Sequence, residues 1–258
     1  MTYTTKKVLL TVKAYPEQCR KLGYCVCIAG ITDNGEFIRL YPVSNLTFLN
    51  RNFKKYTWFE VQCQKASEKL NRKESYHINN DKIDILQHID NNNKWEGRNN
   101  IILPLVSSSL EKLMNQYNKD KTSLGIIKPN LIDFIIDDKP TEDEKNIIRY
   151  TQKTLYNEDI KPVDNIPFIF RYYFKCNANN CKGHKIMCED WELLEAWRKF
   201  RIIYGCQQAK KKIREKFFDY MKNRDLYFYM GMYSRYPTWL IIGLYYPPKN
   251  QIKSLTDF

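Results

Sequence analysis

Apolar and polar residues alternate through the first third of the chain, and that period of two predicts β-strands. Lys7–Tyr15 (KVLLTVKAY) is rich in β-formers, and Gly23–Ile31 (GYCVCIAGI) follows it. The Asp33-Asn34-Gly35 turn then hands the chain to Glu36–Val43 (EFIRLYPV), the signature of a hairpin. Alternation places Phe37, Arg39 and Tyr41 on one face of that strand and Ile38, Leu40 and Pro42 on the other. Lys55–Ala66 alternates again, with Tyr56, Trp58, Glu60 and Gln62 opposed to Thr57, Phe59, Val61 and Cys63. Lys82–Ile89 reads as a further strand or a short helix. Several short strands in such a span predict a small barrel of the OB, SH3-like or PUA-like kind over residues 1–90.

The pattern loosens over residues 91–160, a mixed connecting region. Ser109 is placed to cap a short helix to about Asn118, Ser123–Asn130 reads as a turn-rich connection, and Leu131–Ile136 as a strand. Thr141–Glu144 has the form of a capping box, so a helix is expected from there to about Leu155. Regularity returns over residues 161–258. Ile166–Cys176 alternates as a strand with Phe168, Phe170, Tyr172 and Phe174 on one face. A helix over Glu189–Tyr204 stops at Gly205, and a second runs from about Gln207 to Asn223. Two last strands form a hairpin that ends at Pro247-Pro248. The expected class is therefore α+β: an N-terminal barrel-like module followed by an α/β module.

Composition fits a globular protein, 43% hydrophobic and 28% charged over 258 residues. Charge adds something. The formal net charge is +13, distributed as +5 over residues 1–90, −1 over 91–160 and +9 over 161–258. A field of that sign attracts phosphate polyanions or anionic membranes, although a Lys-rich composition alone also produces it. No apolar window approaches a membrane span, and the N-terminus lacks a secretory core. A cytoplasmic location is expected, with the eight cysteines as thiols or metal ligands rather than disulfides.

The densest chemistry lies in CNANNCKGHKIMCEDWE, Cys176 to Glu192. The spacing Cys176-x4-Cys181-x2-His184-x3-Cys188 offers four N/S donors, the number a closed structural Zn²⁺ site takes. Asn177, Asn179, Asn180 and Gly183 supply turn-forming residues for a loop round an ion. Cys188 is the least secure donor, since Asp190 or a distant Cys can complete the shell instead. The competing reading is a turn with buried free thiols. Asp190 and Glu192 read first as helix N-terminal acids and second as catalytic carboxylates holding Mg²⁺ for phosphodiester cleavage. Positions i and i+2 of a helix lie about 200° apart, which suits a shared ion poorly. No nuclease, Walker, GxGxxG or GxSxG pattern is present.

Two surfaces are candidates for nucleic acid. The helix around Lys210, Lys211, Lys212, Arg214 and Lys216 sets cations against an apolar stripe of Ile213, Phe217 and Met221. Arg39, Tyr41 and Trp58 offer a cation and rings on the barrel, the means by which single strands are stacked. A solvated helix face and a packed aromatic core are the alternatives. Taken together, EFIRLYPV, KYTWFEVQ, SLGIIKP, the Cys/His block and TWLIIGLYYPP resemble an uncharacterised bacterial family over most of the chain. That resemblance matches Cys176, Cys181, Gly183, His184, Asp190, Trp191 and Glu192, leaves Cys188 outside the block, and implies no activity. The reading is DNA or RNA binding with structural zinc, by analogy in bacterial nucleic-acid metabolism or phage defence. The alternatives are a metal-dependent nuclease or nucleic-acid-processing enzyme and an interaction subunit that binds an acidic protein partner, and an oligomer is also compatible.

Overall fold

The computed structural model describes residues 2–19, 23–44, 53–67, 70, 72–139, 166–233 and 238–249. The helix expected from Thr141 lies outside these residues.

The first strands are β1 (Thr4–Lys13), β2 (Glu17–Cys19), β3 (Gly23–Thr32), β4 (Phe37–Ser44), β5 (Thr57–Lys65) and β6 (Ser75–His88). They run in the order β1-β5-β6-β4-β3-β2, and β1 also pairs with β3, so five strands close into a barrel. Lys82–Ile89 is thereby resolved as strand. Inside sit Val8, Leu10, Val26, Ile28, Ile38, Leu40, Phe59, Val61 and Cys63. These are the positions alternation assigns to one face, and Thr57, Phe59, Val61 and Cys63 of β5 do point inward. Closure requires a close approach: a Cβ on Gly30 would lie 2.4 Å from the Leu9 carbonyl oxygen.

Helix α1 (Asn92–Ile102) leaves the barrel, followed by β7 (Val106–Ser107), helix α2 (Leu110–Asp120), β8 (Leu124–Ile127) and β9 (Asn130–Asp138). Ser109 caps α2 by accepting the Lys112 N–H at 3.1 Å, as its position promises. Then come β10 (Phe168–Lys175), β11 (His184–Met187), the long helix α3 (Trp191–Arg214), β12 (Tyr227–Met232) and β13 (Trp239–Tyr245). Two sheets result, β11-β10-β9 and β13-β12-β8-β7. The expected Phe168/Phe170/Tyr172/Phe174 face is buried, and Tyr172 and Phe174 meet Phe228 of the other sheet at centroid distances of 4.8 and 5.2 Å. Leu193, Trp197, Ile213 and Phe217 of the helical layer complete this core.

The region expected as a connector supplies β8, interior to the second sheet, and β9, an edge strand of the first that covers the strand expected over Leu131–Ile136. Leu124–Ile127 is a wholly buried strand rather than a turn, held between β12 and β7. Gly205 breaks α3 as expected (φ 73, ψ 167), but helix resumes at once and runs through a π-helical segment, Glu215–Asp219, to Lys222.

The barrel's outer surface is not free. Leu9, Val12, Ala29, Ile31 and Tyr56 pack against Leu124, Ile126, Tyr227, Tyr229 and Tyr245 in a third core. This explains the unbroken apolar run in β1: both faces are covered. Arg39 sits in that junction, 7% exposed, donating to the carbonyl oxygens of Met232 and Ser123 at 3.4 and 3.3 Å. Cys25 carries a disulfide bond, which corrects the expectation of eight thiols or ligands. Among the described residues no helix is long and apolar enough to cross a membrane.

Candidate metal centre and the module junction

Strand register builds the centre. Phe174 of β10 pairs with His184 of β11, so Cys176, just past β10, lies beside His184. The intervening loop carries Cys181. Its Gly183 adopts φ 100, where a Cβ would meet the Tyr173 ring at 2.8 Å, so the loop needs glycine there. The fourth donor comes from the first turn of α2. Glu111 Oε1 is 3.0 Å from His184 Nε2, and its Oε2 is 2.8 Å from Cys176 Sγ. Cys181 Sγ is 3.2 Å and Cys176 Sγ 3.6 Å from His184 Nε2.

These four donor atoms all lie within 4.8 Å of one another, close enough to hold a metal ion. A tetrahedral zinc with ordinary bond lengths sets its donors about 3.3–3.8 Å apart, so small side-chain shifts suffice. Burial and the bond to Glu111 push the Cys176 thiol up. Burial acts the same way on Glu111, but Cys176, the helix amide and His184 outweigh it and hold the carboxyl below its usual value.

Cys188 is not a member. It follows the extended β11 and so lies about 13 Å from His184 along the strand. Its side chain is 2% exposed within the main core, and burial pushes its thiol well up. Cys188 is thus the buried thiol that was its alternative reading, and the distant residue that completes the set is a Glu.

Asp190 and Glu192 occupy another place, the seam between barrel and C-terminal module. Asp190 is fully buried and caps α3, accepting the Leu193 and Leu244 N–H groups at 3.1 Å each. Lys55 of the barrel reaches both acids, at 3.3 Å for Asp190 and 3.2 Å for Glu192. Burial raises the Asp190 carboxyl, with Lys55 opposing. Burial also acts on Lys55 and Glu192, but attraction to Asp190 and then to Glu192 lifts the Lys55 ammonium, and Lys55 in turn lowers the Glu192 carboxyl. Asp190 is therefore a cap and cross-module anchor, wholly withdrawn from solvent; Glu192 keeps partial exposure and accepts from Tyr246 Oη at 3.2 Å.

Beside this seam the backbone is strained. Asn93, Lys94 and Trp95 are successive left-handed residues (φ 46, 54 and 69), and Tyr56 has φ 65. Left-handed turns cost about 1–2 kcal/mol per non-glycine residue. The result sets the Trp95 ring 5.4 Å from Tyr245 and 5.6 Å from Tyr246.

The other candidates divide. Lys210 pairs with Asp138 and covers the Phe168 ring, Lys212 pairs with Glu215, and Arg214 pairs with Asp133. Lys211 and Lys216 are exposed and have no acidic partner within ion-pair distance among the described residues. On the barrel Arg39 is buried, Tyr41 is half-buried, and Trp58 is half-buried against the junction core with Lys7 over its ring. Arg39 is thereby removed from the expected stacking face, because the C-terminal module covers it.

The fold and site together define an α+β protein with a barrel and a Cys/His/Glu cluster. The chain belongs to the family described as Domain of unknown function (DUF8757), whose model matches residues 106–257, more than half of its length. A second family model, Domain of unknown function (DUF8758), matches residues 4–104, the barrel and α1. No curated protein matches the chain.

Proposed function

We propose that the protein binds DNA or RNA, and that Zn²⁺ held by Cys176, Cys181, His184 and Glu111 fixes the C-terminal module. Two thiolates, an imidazole and a carboxylate form a borderline-soft set that favours zinc. The ion would tie the β10–β11 hairpin to the first turn of α2, a structural role. Thiolates and a neutral imidazole are required for binding, so the site loads by releasing protons.

The observation that carries nucleic-acid binding is the exposure of Lys211 and Lys216, neither in an ion pair among the described residues, within a module of net charge +9 over residues 161–258. Exposed ammonium groups suit backbone phosphates, which carry affinity without sequence preference. Lys212 and Arg214 are already neutralised by Glu215 and Asp133 and contribute less. Replacing Lys211 and Lys216 by Gln should weaken binding of a mixed-sequence oligonucleotide. The slope of log affinity against log salt should fall by about 0.7–0.9 per lost phosphate contact. An unchanged slope would contradict the assignment.

A further inference from the structure

We infer that Trp95, Arg224 and Tyr220, with Lys216, form a stacking platform for single-stranded nucleic acid at the module seam. This rests on the nucleic-acid reading above and gives it a place and a strand type. Lys216 and Tyr220 are four residues apart on the last stretch of the helical run, and Arg224 follows just past its end at Lys222. That stretch passes through the π-helical segment Glu215–Asp219, a rare form associated with functional sites. The Arg224 guanidinium lies 5.6 Å from the Tyr220 ring centroid and 6.0 Å from that of Trp95, between a ring of each module. Its Nε donates to the Tyr246 carbonyl oxygen at 3.0 Å, which fixes the planar group in position.

Two features separate this from ordinary packing. Tyr220 is 47% exposed, although a ring on the last helical turn could have been buried like its neighbours Phe217 and Phe218. Trp95 is presented by the run of three left-handed residues, and such strain persists where it serves a site. The exposed Tyr220 ring offers a flat face to a base, the fixed Arg224 guanidinium and the half-buried indole, itself packed on Arg98, Tyr245 and Tyr246, border it, and Lys216 meets phosphate. Stacking of this kind tolerates any base and needs bases free of a duplex, which selects single strands. The barrel residue Arg39 cannot serve so, since the junction covers it.

The test uses fluorescein-labelled 20-mers of deoxythymidylate and of uridylate, with the corresponding duplexes as competitors. Wild-type protein should bind one or both single strands in preference to duplex, and the two labels distinguish a DNA from an RNA ligand. Tyr220→Ala should weaken binding about 5- to 100-fold, and Tyr220→Phe should restore it. Tryptophan fluorescence of the wild type should fall on saturation, and Trp95→Phe should abolish that fall. Wild-type-like binding by Tyr220→Ala, or an undiminished fall in Trp95→Phe, overturns the platform while leaving the nucleic-acid reading standing. Failure of the wild type to bind any of these nucleic acids overturns both.

Discussion

Single residues at the seam carry a measurable electrostatic load. Lys13 of β1 is pushed down to about 8 by burial and by the neighbouring Lys55 ammonium, with Glu192 pulling the other way. Its folded value lies below its unfolded one, so the fold binds fewer protons between about pH 8 and 10.5. Below pH 8 the protonated Lys13 opposes folding, and that penalty is relieved as pH rises through this window. Urea unfolding at pH 7 and pH 10 should therefore show wild-type stability gaining about 1–3 kcal/mol relative to Lys13→Met over that interval. A constant difference between the two proteins would refute the shift. Residue-scale chemistry was only partly legible beforehand. The Cys176/Cys181/His184 trio was readable because it is local. Glu111 was not: it lies 65 residues before Cys176 and reads as an ordinary first-turn acid of a helix. Nothing in one sequence says that α2 packs against the β10–β11 hairpin. Arg39 misled for the same reason. Alternation placed it correctly on the outer face of β4, but whether an outer face meets water or another module is a tertiary fact.

At the scale of elements, period and caps read well wherever one face alone is buried. β5 and β10 follow their alternation, α2 starts at its Ser109 cap, and Gly205 interrupts α3, whereas in β4 the junction buries Arg39 on the outer face and Val43, not Pro42, enters the barrel core. β8 escaped because a short strand buried on both faces has no alternation to show, and its Gly and nearby Pro resemble a turn. Barrel closure likewise has a sequence cause that only coordinates reveal. Gly30 of β3 faces Leu10 of β1 across the closing pair, with Val8 Cγ1 at 2.5 Å from any added Cβ. Backbone cannot yield there as a flexible side-chain tip would. Gly30→Ala should lower unfolding stability by about 3 kcal/mol, read as a reduced urea midpoint with little change in slope. A loss below about 0.5 kcal/mol would show that β1 and β3 are less tightly closed than described.

At the scale of the molecule, the barrel and the sheet-rich module act as one body. They share a core that includes Leu9, Tyr56, Ile126 and Tyr245, they exchange the Lys55–Asp190 ion pair, and Arg39 bonds across the seam. Within the C-terminal module the proposed zinc would tie α2 to the β10–β11 hairpin. The two functions proposed for the protein meet in the C-terminal module: on that proposal the metal would hold the sheet on which the basic helix rests. If the metal is absent, that helix loses a fixed support, so the identity of the four ligands is the central claim. It is tested most directly by zinc K-edge X-ray absorption on protein purified without chelators, together with elemental analysis. The prediction is one zinc per chain with two sulfur neighbours at about 2.3 Å and two nitrogen or oxygen neighbours at about 2.0–2.2 Å, and loss of one light neighbour's contribution in Glu111→Ala. Protein free of zinc after growth in its presence, or a shell with three sulfurs that would return Cys188 to the site, would contradict it.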